Sequence, residues 1–167
     1  MAKNIVWGTI FALLAAVLQS TLLARLALYR AVPDLALGIL VFTAYVNGTM
    51  TGQLTGFCSG ILLDFISAAP LGLNTFIRTI VGALAGLMRG TFFLDIIFLP
   101  MALCASATLC KAALCFLLHL LFADAVAAYA LMDPTLWVEL LLNTLSAPFL
   151  FGLLKLFSTL LTGRRES

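Results

Sequence analysis

Long apolar runs, broken by short gaps rich in polar residues, glycine and proline, divide the chain into six segments. The first runs from Ile5 to about Leu28 behind Lys3, with Gln19, Ser20 and Thr21 late in it. Pro33 followed by Asp34 is the residue order of a helix start. The second run continues from there to Val46, and Asn47-Gly48 marks a tight turn. The third spans Gly52 to Ile66 and carries Asp64 near its end. Ser67 to Asn74, with Pro70 and Gly72, reads as a loop, and a fourth run from Thr75 to Met88 is closed by Arg89 and Gly90. Leu94 to Phe122 is overlong, with Pro100 near its start expected to tilt or bend it. Asp124 to Asp133 is the next loop, and Pro134 opens a sixth run from Thr135 to Leu161, which Gly163-Arg164-Arg165 ends.

A membrane span needs roughly 20 apolar residues, so the predicted architecture is an all-α integral membrane protein, a single transmembrane domain with a six-helix bundle. The predicted spans cover residues 5–28, 34–46, 52–66, 75–88, 94–122 and 135–161. The second and third runs are short for a straight crossing and must borrow flanking residues or be partly re-entrant. Five full spans therefore stay open beside six. The first run resembles a signal peptide in position, but its length and the equally apolar remainder favour an uncleaved helix.

Composition narrows the function classes. Of 167 residues, 63% are apolar and 10% charged, where soluble domains average about 45–50% and about 25%. Six spans leave no room for a nucleotide-binding domain, and no phosphate-cradling glycine loop occurs in a strand-to-helix context. The net charge of +2 is spread thinly, which excludes a nucleic-acid surface. Cys58, Cys104, Cys110 and Cys115 lie in apolar runs without metal-ligand spacing and read as small packing residues. No cofactor is expected. Lys3, Arg89, Lys155, Arg164 and Arg165 fall on one side of the predicted topology and Arg25 and Arg30 on the other, so both termini are placed in the cytoplasm.

Two glycine ladders stand out. Gly48, Gly52, Gly56 and Gly60 recur every fourth residue, and Gly82, Gly86 and Gly90 repeat the interval on the fourth run. Such a stripe lets helix backbones approach closely, and close packing is the main glue between helices in lipid. The stripes predict helix contacts, either within the bundle or against another membrane protein. Partner binding at Gly48, Gly52, Gly56, Gly60, Asp64, Pro70 and Gly72 is one reading, with the second and third runs as its surface. Gly56→Leu and Gly60→Leu are then expected to weaken partner binding more than folding.

Ionisable groups at membrane depth are costly and are the first places to look for function. Lys111 lies mid-way along the fifth run, and Arg78 within the first turn or two of the fourth. Glu139, Asn143 and Ser146 share one face of the sixth. Counting inward from the connecting loop sets His119 beside Glu139 and Lys111 beside Ser146. This predicts a buried polar cluster of Arg78, His119, Glu139 and Asn143 in the outer half of the bundle, with structural pairing, partner recognition and substrate or proton handling all open. With a single histidine and no activated nucleophile beside it, no catalytic constellation emerges, and the chain is not expected to be an enzyme.

The ordered series Leu18-Gln19-Ser20-Thr21, Pro33-Asp34-Leu35, Asn47-Gly48 through Gly52, Gly56-Phe57, Gly60-Ile61-Leu62-Leu63-Asp64 and Pro70-Leu71-Gly72 resembles the MreD family of the bacterial rod-shape system, the elongasome. The likeness covers residues 5–90; beyond them it extends only to length and hydropathy, and Lys111 and the cysteine-rich fifth run match no family pattern. The resemblance implies a non-enzymatic scaffold in the bacterial cytoplasmic (inner) membrane. Its implied partners are MreC, the synthase of RodA and its penicillin-binding transpeptidase, and indirectly MreB, besides membrane lipid. It also implies a fold similar to the substrate-binding subunits of energy-coupling-factor transporters, with the segment from Asp64 to Asn74 at the outer face. A small-solute, vitamin-binding subunit of such a transporter is the alternative function. A lipid or ion transporter is a third class, carried by Arg78, Lys111 and Glu139.

Overall fold

The structure, a computed structural model, describes residues 1–21, 31–67, 69–90, 97–122, 126 and 134–161. Every regular element among them is a helix: α1 (Ala2–Thr21), α2 (Leu35–Asn47), α3 (Thr49–Ile66), α4 (Leu73–Leu87), α5 (Phe98–Phe122), α6 (Pro134–Leu156) and the single turn α7 (Ser158–Leu161). The predicted segments correspond to these helices with boundary shifts of a few residues. The expected continuation of the first span to residue 28, the start of the fifth at 94, and Arg25, Arg30, Asp124, Asp133, Arg164 and Arg165 lie outside the described residues. By length and composition α1, α5 and α6 can each cross a membrane, while α2 and α4 are shorter apolar helices. α3 has 18 residues but is diluted by Gln53, Asp64 and its threonines.

From α1 to α6, successive helices alternate in direction. At one end Asn4 Nδ2 donates to Asn47 Oδ1 (2.7 Å), Asn47 Nδ2 to the Leu161 carbonyl (2.7 Å), and Arg89 Nη1 to the Asn47 carbonyl (3.2 Å). Lys3 Nζ reaches the Thr159 carbonyl at 3.0 Å. The start of α1, the α2–α3 corner, the end of α4 and α7 therefore gather at one end. At the other, Gln19 Oε1 accepts from the Leu35 amide at 3.2 Å, and Asp64 closes the α3–α4 loop.

α2 is the central helix. Ala36 through Ala44 are nine consecutive buried residues, and α1, α3, α4, α5 and α6 all pack on it. A helix that is apolar all round belongs inside a bundle. The second run thus has no face left for a partner, which removes half of the surface assigned to it from sequence. Its far end turns in one residue: Gly48 has φ +94°, and its amide caps α2 on the Ala44 carbonyl at 2.7 Å. Left-handed backbone of this kind favours glycine, so Gly48 serves the corner and stands outside the α3 stripe.

The two glycine stripes face each other. A Cβ on Gly52 would meet the Gly82 carbonyl, one on Gly56 the Arg78 carbonyl, one on Gly60 the Thr75 Cα at 2.5 Å, and one on Gly86 the Thr49 Cα. α3 and α4 form an antiparallel pair at backbone contact, held by close packing along its whole length. Gly56 and Gly60 are consumed inside the protein, so leucine at either position would break the fold rather than report on a partner. Gly90 lies beyond the end of α4 at φ +75° and does not extend the stripe.

Prolines fall where the helix geometry dictates. Pro100 sits in the first turn of α5, where amides have no intrahelical partner, so it does not break the helix. Pro148 lies inside α6, and the helix is interrupted at Phe157 before α7.

Candidate functional site

The buried charges converge in the half of the bundle remote from the termini. Asp34 caps α2, its Oδ1 accepting from the Leu37 amide at 2.9 Å. The same carboxylate pairs with Arg78 of α4 (Nη2 to Oδ1, 3.0 Å) and with Lys111 of α5 (Nζ to Oδ2, 3.0 Å). Lys111 in turn pairs with Glu139 of α6 at 2.7 Å. One cap residue thus ties four helices together through a chain that alternates in sign, Arg78, Asp34, Lys111, Glu139, and sums to zero. Neutrality and mutual pairing are what make four charges tolerable at membrane depth.

Asn143 locks the same corner from α6. Its Oδ1 accepts from the Asp34 amide at 2.6 Å, and its Nδ2 donates to Thr108 Oγ1 at 2.9 Å; Thr108 donates onward to the Cys104 carbonyl at 2.8 Å. The first amides of α2 are satisfied by Asn143, Gln19 and Asp34, which explains how a buried helix start avoids unpaired donors.

Of the four residues predicted to cluster, Arg78, Glu139 and Asn143 lie in this network and His119 does not. His119 Nδ1 pairs with the Val126 carbonyl at 2.7 Å, and Glu139 has Lys111 as its cation. The cause is register. Counting inward from the loop assumes that α5 and α6 end level, whereas the Lys111–Glu139 and Thr108–Asn143 pairs offset them by about six residues, or ~9 Å along the axis. The last turns of α5 overhang the start of α6, leaving His119 at the loop and bringing Lys111 to Glu139 rather than Ser146. Asp34 and Lys111 are the members that the sequence reading left out. The available signal was charge balance: Arg78 with Glu139 leaves Lys111 without a carboxylate, and Asp34 supplies one.

Asp64 is a third buried carboxylate, outside this network and with a different task. It accepts from the amides of Gly72 (2.9 Å), Asn74 (2.9 Å) and Thr75 (3.1 Å) and from Thr75 Oγ1 (2.5 Å). An anion at a helix N-terminus meets unfilled donors and the positive end of the dipole. Asp64 therefore caps α4 from α3, and Gly72 at φ +93° turns the chain into it. Pro70 precedes this turn, its carbonyl accepting from the Leu73 amide at 3.1 Å.

Two surface features flank these groups. On the outward side of the α3–α4 pair runs an apolar groove of about 610 Å³, walled by Phe57, Ile61, Phe65, Leu71, Phe76 and Ile80. Because the glycine stripes bring the backbones together, the large side chains of both helices are left on the outer face. A smaller crevice of about 330 Å³ opens beside Asp34, Arg78 and Lys111, with Gln19 and Ser20 on its α1 side. Among the described residues no group of three or more His, Cys, Asp or Glu could hold a metal ion, and the four cysteines are free thiols.

Neither the curated proteins nor the solved structures include a match to this chain. The profile of the family described as MreD, rod shape-determining protein MreD, matches residues 1–157. With the match running through every described helix but the short α7, the chain belongs to the MreD family of membrane proteins that determine rod shape.

Proposed function

We propose that this chain is a non-enzymatic scaffold of the peptidoglycan elongation machinery that binds MreC through the outward face of α3 and α4. Through MreC it supports the synthase of RodA and its transpeptidase, and it is linked indirectly to MreB. It crosses the inner membrane six times with both termini in the cytoplasm, a reading supported by six helices of alternating direction and by Lys3 and Arg89 lying together at the terminal end.

The observation that carries the reading is the fastened α3–α4 pair. Its two helices cannot slide past each other without backbone collision, and splaying would forfeit the close packing along the stripes, so the aromatic groove on their outer side is preformed, and a preformed surface loses little freedom on binding. Phe57 is 46% exposed and Phe65 75%. Gln53, exposed one turn before Phe57, adds an amide whose hydrogen bonds are better met by protein than by lipid. A transmembrane helix laid in the groove would cover these groups together.

Co-purification with MreC tests the proposal. The double substitution Phe57→Ala and Phe76→Ala is expected to reduce retained MreC about tenfold, as removal of aromatic anchors does, with thermal unfolding unchanged. Phe149→Ala on α6, where the side chain is 82% exposed, is expected to retain MreC fully. Equal retention in the double variant would place the interface elsewhere.

A further inference from the structure

The apolar faces that the bundle turns outward differ in height. On α5 the exposed large apolar side chains run from Phe98 to Phe122, a band of about 36 Å at 1.5 Å per residue. On α3 they run from Met50 to Ile66, about 24 Å, and the whole of α4 is 15 residues long, about 22 Å. Polar groups mark both ends of the short face. At one end the exposed Arg89 is fastened to the Asn47 carbonyl at 3.2 Å. At the other, Asn74 Nδ2 donates to the exposed Ser67 Oγ at 3.1 Å, beside the Asp64 cap. The glycine contacts hold the two helices level, Gly52 against Gly82 and Gly60 against Thr75, so neither extends the face beyond the other.

The hydrocarbon core of a bilayer is roughly 30 Å thick. A long helix fits it by tilting, whereas tilt only lowers a short one further. α5 can therefore match the membrane, and the α3–α4 pair cannot. Long charged side chains at its ends could reach the interface instead, but Arg89 is tied to the α2–α3 corner, and no Lys or Arg lies between Leu62 and Phe76. The adjustment left is in the lipid. We infer that the α3–α4 face binds a locally thinned bilayer, with short-chain phospholipid as its preferred neighbour, while the α5 face meets lipid of ordinary length. The protein is then a wedge in the hydrocarbon layer, and a helix filling the α3–α4 groove would replace lipid held at a mismatch. The inference rests on the reading that α3 and α4 cross the membrane, and not on the identity of any partner.

The test uses the full chain reconstituted into bilayers that mix phosphatidylcholines with 14-carbon and 18-carbon monounsaturated chains, one of the two carrying bromine as a contact quencher. A fluorescent residue is introduced singly at Leu54 or Leu84 on the short face and at Leu109 or Phe116 on α5, all exposed positions; two sites per face guard against a variant that does not fold. Brominated 14-carbon lipid is expected to quench the α3–α4 probes about twofold more than the α5 probes, and brominated 18-carbon lipid to reverse the order. Probes at Met50, Phe57 and Ile66, read with lipids brominated at different depths, check the crossing in the same bilayers. Phe57 deeper than both others is the result expected of a helix that spans the membrane. Equal quenching on the two faces, with Phe57 deepest, would overturn the thinning and leave the crossing intact. Phe57 no deeper than Met50 and Ile66 would overturn the crossing, and the inference with it.

Discussion

Lys111→Met is expected to destabilise the protein by about 3–5 kcal/mol, the range for removing one partner of a buried ion pair. Lys111 faces two carboxylates, Asp34 at 3.0 Å and Glu139 at 2.7 Å. Its loss leaves two negative charges against Arg78 alone, with Asp34 only 6% and Glu139 8% exposed in their side chains. Combining Lys111→Met with Glu139→Leu restores neutrality around the remaining Asp34–Arg78 pair, so the double variant is expected to recover most of the loss. Thermal unfolding of the detergent-purified variants checks both. A single variant as stable as the wild type, or a double variant no better than the single, would show that the network does not hold the four helices together.

Gly56→Leu is expected to be at least as damaging, about 3 kcal/mol or more, with loss of folded protein as the outcome in expression and size-exclusion profiles. Overpacking a side-chain core costs about 1–3 kcal/mol because neighbouring side chains yield. At Gly56 the neighbour is the Arg78 backbone, which moves only if α4 moves, and Arg78 carries the ion pair to Asp34. Gly152→Ala is the control: it lies exposed in α6 with nothing within 4 Å of an added Cβ. There the substitution is expected to gain up to about 1 kcal/mol from helix propensity. Similar behaviour of the two variants would contradict backbone contact between α3 and α4.

Segment boundaries were legible because they are set locally. Pro33 with Asp34, Asn47 with Gly48, and Pro70 with Gly72 each impose a backbone geometry that a few residues determine by themselves. The glycine interval was equally legible as a stripe, but a stripe does not name what it meets. That Gly52 meets Gly82 and Gly56 meets Arg78 depends on the direction and offset of two helices, which no spacing within one helix encodes. The same limit governs the charges. Arg78, Glu139 and Asn143 were visible as expensive residues on buried faces, whereas the offset of α5 against α6 decides that Lys111, and not His119, reaches Glu139. Asp34 was read as a helix start, and it is one; its carboxylate has enough acceptor positions to cap α2 and pair two cations as well. α2 shows the converse. Its length suggests a short or partly re-entrant span, while the structure uses its nearly unbroken apolar composition to place it at the centre of the bundle.

The most direct test of the scaffold reading is photo-crosslinking in cells from a reactive residue introduced singly at Phe57, Phe76, Phe116 or Phe149. All four side chains are exposed, between 45% and 82%, so each can carry the probe at the surface. The first two lie on the α3–α4 groove and the others on α5 and α6. Crosslinks to MreC from Phe57 and Phe76, and none from Phe116 or Phe149, are the predicted result. Crosslinks from Phe116 or Phe149 with none from the groove positions would contradict it.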